Sequence, residues 1–305
     1  MSEKVRFGDR YDATRVRDLD PLQSFMNLLM GERAENEALC ELEINMSSLL
    51  SYIEKKNAEN SNPQFRYTFF HAVLAALCRT IQARPKLNWF VRNKKYWQRR
   101  VISFAFVAKK QKTDGSAEEL IITKYDKDSD ISPIEQMHNS TCKMVSEIRK
   151  SNESHDETIK IIKSLLKAPG PLLNFIGFII RKLGKHGRLP KSFVKANPYD
   201  ATCFVTNLGS IKLNLNYHHL INFGSNSLFI VIGEKTKKPV FTEDGGFRFE
   251  EFLPLSITLD ERIADGVYFG KSLRILKALL LKPELLDISA NTEIDFDTLL
   301  EEMNI

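Results

Sequence analysis

The stretch best suited to chemistry is a turn that holds two aspartates, a glutamate and an arginine. The sequence Ser256-Ile-Thr-Leu-Asp-Glu-Arg-Ile-Ala-Asp-Gly266 runs from a β-branched segment into this charged turn, and an apolar helix is predicted over residues 271–281. Rigid flanking elements can hold such side chains in fixed positions, so a turn of this kind is a common place for a functional site. Composition alone is equally compatible with a solvated, salt-bridged turn.

Three further segments have the periodicity needed to support this turn. Residues 41–46 alternate as a half-buried strand, and residues 65–83 form an apolar helix with almost no polar face, which predicts burial on most sides. Residues 101–109 and 120–125 are predicted to be a hairpin around Thr113-Asp-Gly-Ser116. His71, within the apolar helix, is interpreted as a core histidine. Helices are also predicted from Pro21 and over residues 134–150.

Composition excludes several classes of protein. The chain has 305 residues, 43% hydrophobic and 27% charged, with a formal net charge of +5. These values are ordinary for a globular protein and give no reason to expect nucleic-acid binding. The four cysteines show no CxxC spacing, the six histidines form no metal-ligand pattern, and the first thirty residues lack a signal-peptide pattern. A cytoplasmic protein with reduced thiols and no metal is therefore expected.

Three motifs together resemble one enzyme superfamily. Asp260-Glu-Arg-Ile-Ala-Asp-Gly266 is similar to the Asp-His-Arg-x-x-Asp-Gly signature in the acyltransferase component of 2-oxoacid dehydrogenase complexes, and to the His-His-x-x-x-Asp-Gly signature of chloramphenicol acetyltransferase. The helix ending at Arg84-Pro-Lys-Leu-Asn88 and the strand Ala201-Thr-Cys-Phe-Val-Thr-Asn-Leu-Gly-Ser210 resemble two further motifs of these families. Glu261 stands where the family carries its catalytic histidine.

The resemblance implies a single α/β domain, an α+β two-layer sandwich with a mixed sheet flanked by helices, over residues 1–305. The family core corresponds to about residues 10–288. An insertion spans about residues 151–200, where residues 158–167 are amphipathic. No lipoyl domain or peripheral-subunit-binding domain is expected. An acidic tail is predicted over residues 293–302.

The resemblance also implies coenzyme-A-dependent acyl transfer to a small thiol, amine or hydroxyl acceptor. By position, Thr206 is the donor to the oxyanion and Glu261 is the base, while Asn207 and Gly209 are candidate coenzyme-A contacts that also have plain structural explanations. Asp265 corresponds to a family aspartate held by an arginine, for which Arg15, Arg17 and Arg262 are candidates. The resemblance further implies a homotrimer with active sites between subunits, and it makes a separate lipoyl-bearing protein a candidate partner.

Glutamate is a weak substitute for the histidine. Transfer of a proton from a thiol to a carboxylate is uphill by roughly 5.7 kcal/mol, against roughly 2.7 for an imidazole. The difference corresponds to about a hundredfold in rate. Burial can strengthen a carboxylate base and recover this loss. His218 or His219 is an alternative base, although the pair is also compatible with a surface position.

Two alternatives to an enzyme remain open. The first is an inactive trimeric homologue that binds acyl-CoA or acts as a scaffold. The second is a peripheral membrane protein that uses residues 172–185, a segment too short and too basic at its end to span a bilayer. Packing of this segment against the fold or a neighbouring subunit is the favoured interpretation.

Overall fold

The fold is built on a mixed sheet whose central strands carry the predicted motifs. The computed structural model describes residues 9–62, 64–109, 118–150, 167–214 and 216–305. Within these residues the strands are β1 (Ala13–Arg15), β2 (Glu37–Asn45), β3 (Trp89–Arg92), β4 (Lys95–Arg99), β5 (Ile102–Lys109), β6 (Glu118–Tyr125), β7 (Cys203–Asn207), β8 (Leu228–Ile232), β9 (Thr236–Phe241) and β10 (Phe247–Asp260).

Helices pack against this sheet. In the described ranges they are α1 (Pro21–Leu29), α2 (Ser47–Glu59), α3 (Phe69–Ala83), α4 (Pro133–Lys150), α5 (Gly170–Lys185), α6 (Lys191–Ala196), α7 (Gly266–Leu281) and α8 (Phe296–Glu302). No helix in the described ranges is long and apolar enough to cross a membrane.

Seven strands form the main sheet, in the order β2-β10-β8-β7-β5-β6, with β9 paired to the outer half of β10. Strand β7 pairs in parallel with both β5 and β8, whereas the other pairs are antiparallel. The α/β class with a mixed sheet is therefore confirmed. Strands β1, β4 and β3 form a separate small sheet, which the sequence analysis did not predict.

The main core lies between one face of this sheet and the helices. Alternate residues of β10, from Leu253 to Leu259, point into it, and α3 is buried from His71 to Ile81, as its lack of a polar face predicted. Arg79 of α3 is buried too, and it donates hydrogen bonds to the carbonyls of residues 288–290 and 292. These bonds fix the C-terminal segment on the helix.

One prediction near the C-terminus needs correction, and one for helix α5 is met only in part. The segment expected as an acidic tail folds into α8, because Leu299 and Leu300 are apolar and pack into the core. Helix α5 forms where predicted, but Leu172, Phe175 and Phe178 are 47–59% exposed, so this face does not pack against the fold in one protomer. The hairpin turn at 113–116 and the amphipathic segment 158–166 lie outside the described residues.

Candidate functional site

The motif turn is fixed by a buried carboxylate between two arginines. Asp260 ends β10 and is fully buried; its carboxylate accepts hydrogen bonds from Nε and Nη2 of Arg262, both at 2.8 Å. Nε of Arg33 lies 3.4 Å from the same carboxylate. The guanidinium of Arg262 also donates to the carbonyl of Gly31 at 2.8 Å. One negative charge thus holds two buried positive charges and ties the turn to the segment after α1.

None of the three candidate arginines, Arg15, Arg17 and Arg262, forms an ion pair with Asp265 in the described structure. Arg262 binds Asp260 instead, and Arg17 lies 3.6 Å from Asp9. Asp265 accepts a hydrogen bond from the backbone N–H of Tyr268 at 2.8 Å and so caps the N-terminus of α7. It makes no ion pair with any residue that the structure describes. A carboxylate at this position satisfies an otherwise unpaired N–H and favours the positive end of the helix.

Glu261 is exposed at the start of a short 3₁₀ turn. Its backbone N–H donates to the carbonyl of Asn36 at 2.9 Å, so the backbone at this position is fixed. Its carboxylate forms no hydrogen bond or ion pair within the described part of the chain. The side chain is therefore free to meet a ligand or another subunit, but its own protomer does not bury it.

Thr206 lies near the end of β7, half-buried, on the sheet face opposite the main core. Phe204, two residues earlier, points to the same face, where it packs with Phe229. No described group makes a hydrogen bond to the Thr206 hydroxyl. A hydroxyl without a protein partner can donate to a ligand, as an oxyanion donor must.

Thr206 and Glu261 are far apart within one protomer. Thr206 is opposite Val231, which is opposite Ser256 of β10, and Glu261 follows five residues later. Two strand spacings and five residue rises give a separation of about 20 Å. One chain alone therefore does not bring the predicted base to the predicted donor.

The turn after β7 has a close backbone approach that requires glycine. A Cβ on Gly209 would lie 2.4 Å from the carbonyl oxygen of Gly233, which is not allowed. The side-chain oxygen of Asn207 accepts from the backbone N–H of Ser210 at 3.2 Å. Both residues therefore have structural roles, as the sequence analysis considered.

His218 and His219 are exposed and lie on the same sheet face as Thr206. The ring of His218 stacks on Phe229, with centroids 4.0 Å apart and planes inclined by 3°, and on His219 at 5.0 Å. With Phe204, these rings form a continuous aromatic stack across the face. Neither histidine makes a hydrogen bond to Thr206. They form an aromatic surface on the same sheet face as Thr206, without a hydrogen bond to it.

A different histidine has the most altered environment. His71, in α3, is 6% exposed, and burial together with the nearby His138 lowers its pKa to about 3. Its Nδ1 accepts from the backbone N–H of Thr68 at 3.1 Å, which caps α3. The interpretation of His71 as a core histidine agrees with this burial.

The turn has basic surroundings that were not predicted from the sequence. Arg33 is 2% exposed and Arg92 is largely enclosed, and both line a cleft of about 660 Å³ beside Arg262. Burial and the neighbouring Arg33 lower the pKa of Arg92 to about 10. Only charge alternation marks the segment Gly31-Glu-Arg-Ala-Glu35 in the sequence, and such a pattern does not separate a buried arginine from an exposed one.

The family comparison agrees with the C-terminal motifs. Residues 184–288 match the family described as 2-oxoacid dehydrogenases acyltransferase (catalytic domain). This range contains both the Thr206 strand and the motif turn. A sequence search of curated proteins found no match.

Solved structures extend the likeness to most of the chain. A probable dihydrolipoamide acetyltransferase from Listeria monocytogenes is similar, with a TM-score of 0.55, 16% identity, and coverage of 88% of this chain and 95% of that one. Azotobacter vinelandii dihydrolipoamide acetyltransferase, studied for the catalytic roles of a serine, a histidine and an asparagine, is also similar. Its TM-score is 0.53 and its identity 12%, with coverage of 89% of this chain and 93% of that one.

A chloramphenicol acetyltransferase gives a TM-score of 0.53 at 9% identity, with coverage of 88% and 99%. At these identities the structural likeness establishes the fold. The chain therefore has the chloramphenicol acetyltransferase-like fold, and its residues 184–288 are similar to the 2-oxoacid dehydrogenase acyltransferase catalytic domain.

Proposed function

We propose that this protein is a coenzyme-A-dependent acyltransferase whose active site is completed between copies of the chain. Thr206 donates a hydrogen bond to the oxyanion, and Glu261 of a neighbouring copy removes the proton from a small thiol, amine or hydroxyl acceptor. The observation that carries the proposal is the pair of unpartnered groups: a hydroxyl and a carboxylate, each on fixed backbone and each without a hydrogen bond in the described residues.

The separation of about 20 Å within one protomer is the reason to require a second copy. In the A. vinelandii enzyme, the histidine and asparagine studied for their catalytic roles are four residues apart. Glu261 and Asp265 have the same separation. Burial of Glu261 by the second copy is also what would strengthen a carboxylate as a base. A homotrimer is the assembly we propose.

Coenzyme-A release measures the proposed reaction. Purified protein is incubated with a panel of acyl-CoAs and thiol, amine and hydroxyl acceptors. We expect Thr206→Ala to lower release by about 10²- to 10³-fold, as for loss of one oxyanion donor, and Thr206→Ser to retain it. Glu261→Gln should lower release by about 10²- to 10⁴-fold, whereas Glu284→Gln, at another exposed glutamate, should not change it.

Mixing the two inactive variants tests whether the site is shared. In a random trimer of Thr206→Ala and Glu261→Gln chains, one interface in four pairs an intact hydroxyl with an intact carboxylate. We therefore expect recovery of about a quarter of the wild-type rate. No recovery from a mixture of the two variants would refute a shared site.

A binding or scaffold homologue is the second candidate, favoured by the exposure of Glu261 in the protomer. Measurable acyl-CoA binding without release for any acceptor would support it. In that case Glu261→Gln should bind acyl-CoA as the wild type does.

A further inference from the structure

A basic cleft lies beside the motif turn, between the end of α1 and the end of α5. Its lining contains two glutamates, Glu32 and Glu35, and six cationic residues: Arg33, Arg92, Lys94, Arg181, Lys185 and Arg262. The carboxylate of Glu35 accepts from the backbone N–H of Glu32 at 3.1 Å, which occupies one of its oxygens. The cleft thus has a strong excess of positive charge.

Four of these cations form no ion pair within the described residues, although Asp200 and Glu32 lie near Arg92. Arg33 and Arg262 share Asp260, but Arg92, Lys94 and the two cations of α5 make no ion pair there. Arg92 is the most enclosed of the four: Nη1 donates to the carbonyl of Asn222 at 2.7 Å. Enclosed guanidinium groups without carboxylates favour a bound anion, and planar guanidinium groups suit phosphate oxygens.

Both helices beside the cleft present apolar side chains to solvent. On α1, Leu22, Phe25, Leu28 and Leu29 are 55–67% exposed, and Leu28 also lines the cleft. On α5, Leu172, Phe175, Phe178 and Ile179 are 37–59% exposed. Exposed apolar surfaces of this size usually mark an interaction site, so we expect a partner to cover this one.

The apolar and basic residues of α5 form one continuous surface. Phe175, Phe178, Lys182 and Lys185 follow at spacings of three, four and three residues, which places them along one side of the helix. Nζ of Lys182 lies 5.8 Å from the centroid of the Phe178 ring. The helix contains no acidic residue. Aromatic and leucine side chains next to Lys and Arg are typical of helices that lie in a membrane interface.

We infer that the α1–α5 surface docks on an anionic phospholipid bilayer, with a lipid phosphate in the basic cleft and the apolar side chains of both helices in the interface. The excess of cations in the cleft favours an anionic bilayer, because lipid phosphates supply negative charge beside an apolar phase that takes up the exposed side chains of both helices. The inference does not depend on acyl transfer. It makes the membrane contact of residues 172–185, disfavoured from sequence, the preferred interpretation of α5.

Vesicle flotation tests the inference with the intact chain. The protein is mixed with phosphatidylcholine vesicles with or without phosphatidylglycerol and centrifuged through a density gradient. We expect flotation only with phosphatidylglycerol. The double variant Arg181→Gln/Lys185→Gln should weaken the apparent partition coefficient about twenty-five-fold, since each cation near an anionic surface contributes about five-fold. Lys237→Gln/Lys238→Gln, an equal charge change on β9, should float as the wild type does.

The apolar contribution is tested separately. Phe25→Ser/Phe175→Ser should reduce flotation strongly, whereas Phe247→Ser/Phe249→Ser, on the exposed β10 hairpin, should not. Thermal unfolding followed by circular dichroism verifies that each variant is folded. Coenzyme-A release assays of the same variants keep this result separate from the proposed function.

Three outcomes would overturn the inference. The first is that the wild type remains at the bottom with phosphatidylglycerol vesicles. The second is equal loss in the cleft variant and the β9 control. The third is that Phe25→Ser/Phe175→Ser dissociates a lipid-free oligomer in sedimentation velocity, which would show that a second copy covers the two helices.

Discussion

The Asp260 carboxylate should be among the most important single groups for stability. It is fully buried and is the only carboxylate that the described structure places in contact with Arg33 and Arg262, which are 2% and 7% exposed. Asp260→Asn keeps the shape but leaves two buried guanidinium groups without a counter-charge. Removal of one partner from a buried ion pair costs about 3–5 kcal/mol. We expect a decrease of that size in the free energy of unfolding, a large part of the total for a typical domain.

Urea denaturation, followed by tryptophan fluorescence, measures this decrease. The matched control is Glu251→Gln, which breaks an exposed pair with Lys235 at 2.7 Å and should cost at most about 1 kcal/mol. Adding Arg33→Met to Asp260→Asn should recover part of the loss, because one uncompensated charge is removed. If Asp260→Asn and Glu251→Gln have the same effect within 1 kcal/mol, the explanation of the turn by buried charge is wrong.

Other predictions concern pH, close packing and capping. The pKa of His71 is about 3 in the folded protein and about 6.5 in the unfolded chain, so the unfolded state binds more protons between these pH values. The free energy of unfolding should therefore fall by about 1.4 kcal/mol per pH unit as the pH decreases below 6.5. His71→Gln should flatten this pH dependence in urea titrations. Gly209→Ala should lower the free energy of unfolding by about 1–3 kcal/mol, because the added Cβ clashes with Gly233, whereas Gly266→Ala, with open space around it, should not lower it. Equal unfolding midpoints for the two variants would contradict the close approach of Gly209 to Gly233. Asp265→Ala should lower the free energy of unfolding by about 1 kcal/mol, and Asp265→Asn should lower it much less, since asparagine also caps helices. Equal decreases for the two variants in thermal unfolding would show that the charge of Asp265, rather than its capping hydrogen bond, stabilises the helix.

The hydrophobic pattern of the sequence predicted strand β10 and helix α3, because in both elements the apolar residues are the buried ones. The alternation of Leu253 to Leu259 marks the buried face of β10, and the apolar run of α3 marks a buried helix. The small sheet was missed because β1 and β4 pair across more than eighty residues of chain, and β1 has only three residues. Short strands carry too little periodicity to be recognised alone.

The charged turn could be located from sequence but its contacts could not. Arg33 and Asp260 are 227 residues apart, and no local rule links an arginine after one helix with an aspartate at the end of a strand. The nearest arginine in sequence, Arg262, is one of three candidates to hold Asp265, but it binds Asp260. Adjacent acidic residues compete for the same arginine, and burial decides between them: the fully buried Asp260 needs a counter-charge, whereas the exposed Asp265 does not.

Burial also distinguishes the residues that fix the backbone of this turn, Asp260 and Arg262, from Glu261, the residue proposed to act in catalysis. Asp260 and Arg262 fix the backbone from within the protomer, so the position of Glu261 is determined before any second copy arrives. Its basicity is not determined in this way, because an exposed carboxylate takes its environment from whatever covers it. A subunit that removes water from Glu261 and brings Thr206 within hydrogen-bond reach would create base and donor in one step of assembly. If the second subunit leaves Glu261 exposed to solvent, the turn is still correctly folded but has little catalytic activity. If Glu261 is the base, as proposed, catalysis depends on the interface more strongly than it would with a histidine, since an imidazole is the stronger base in water.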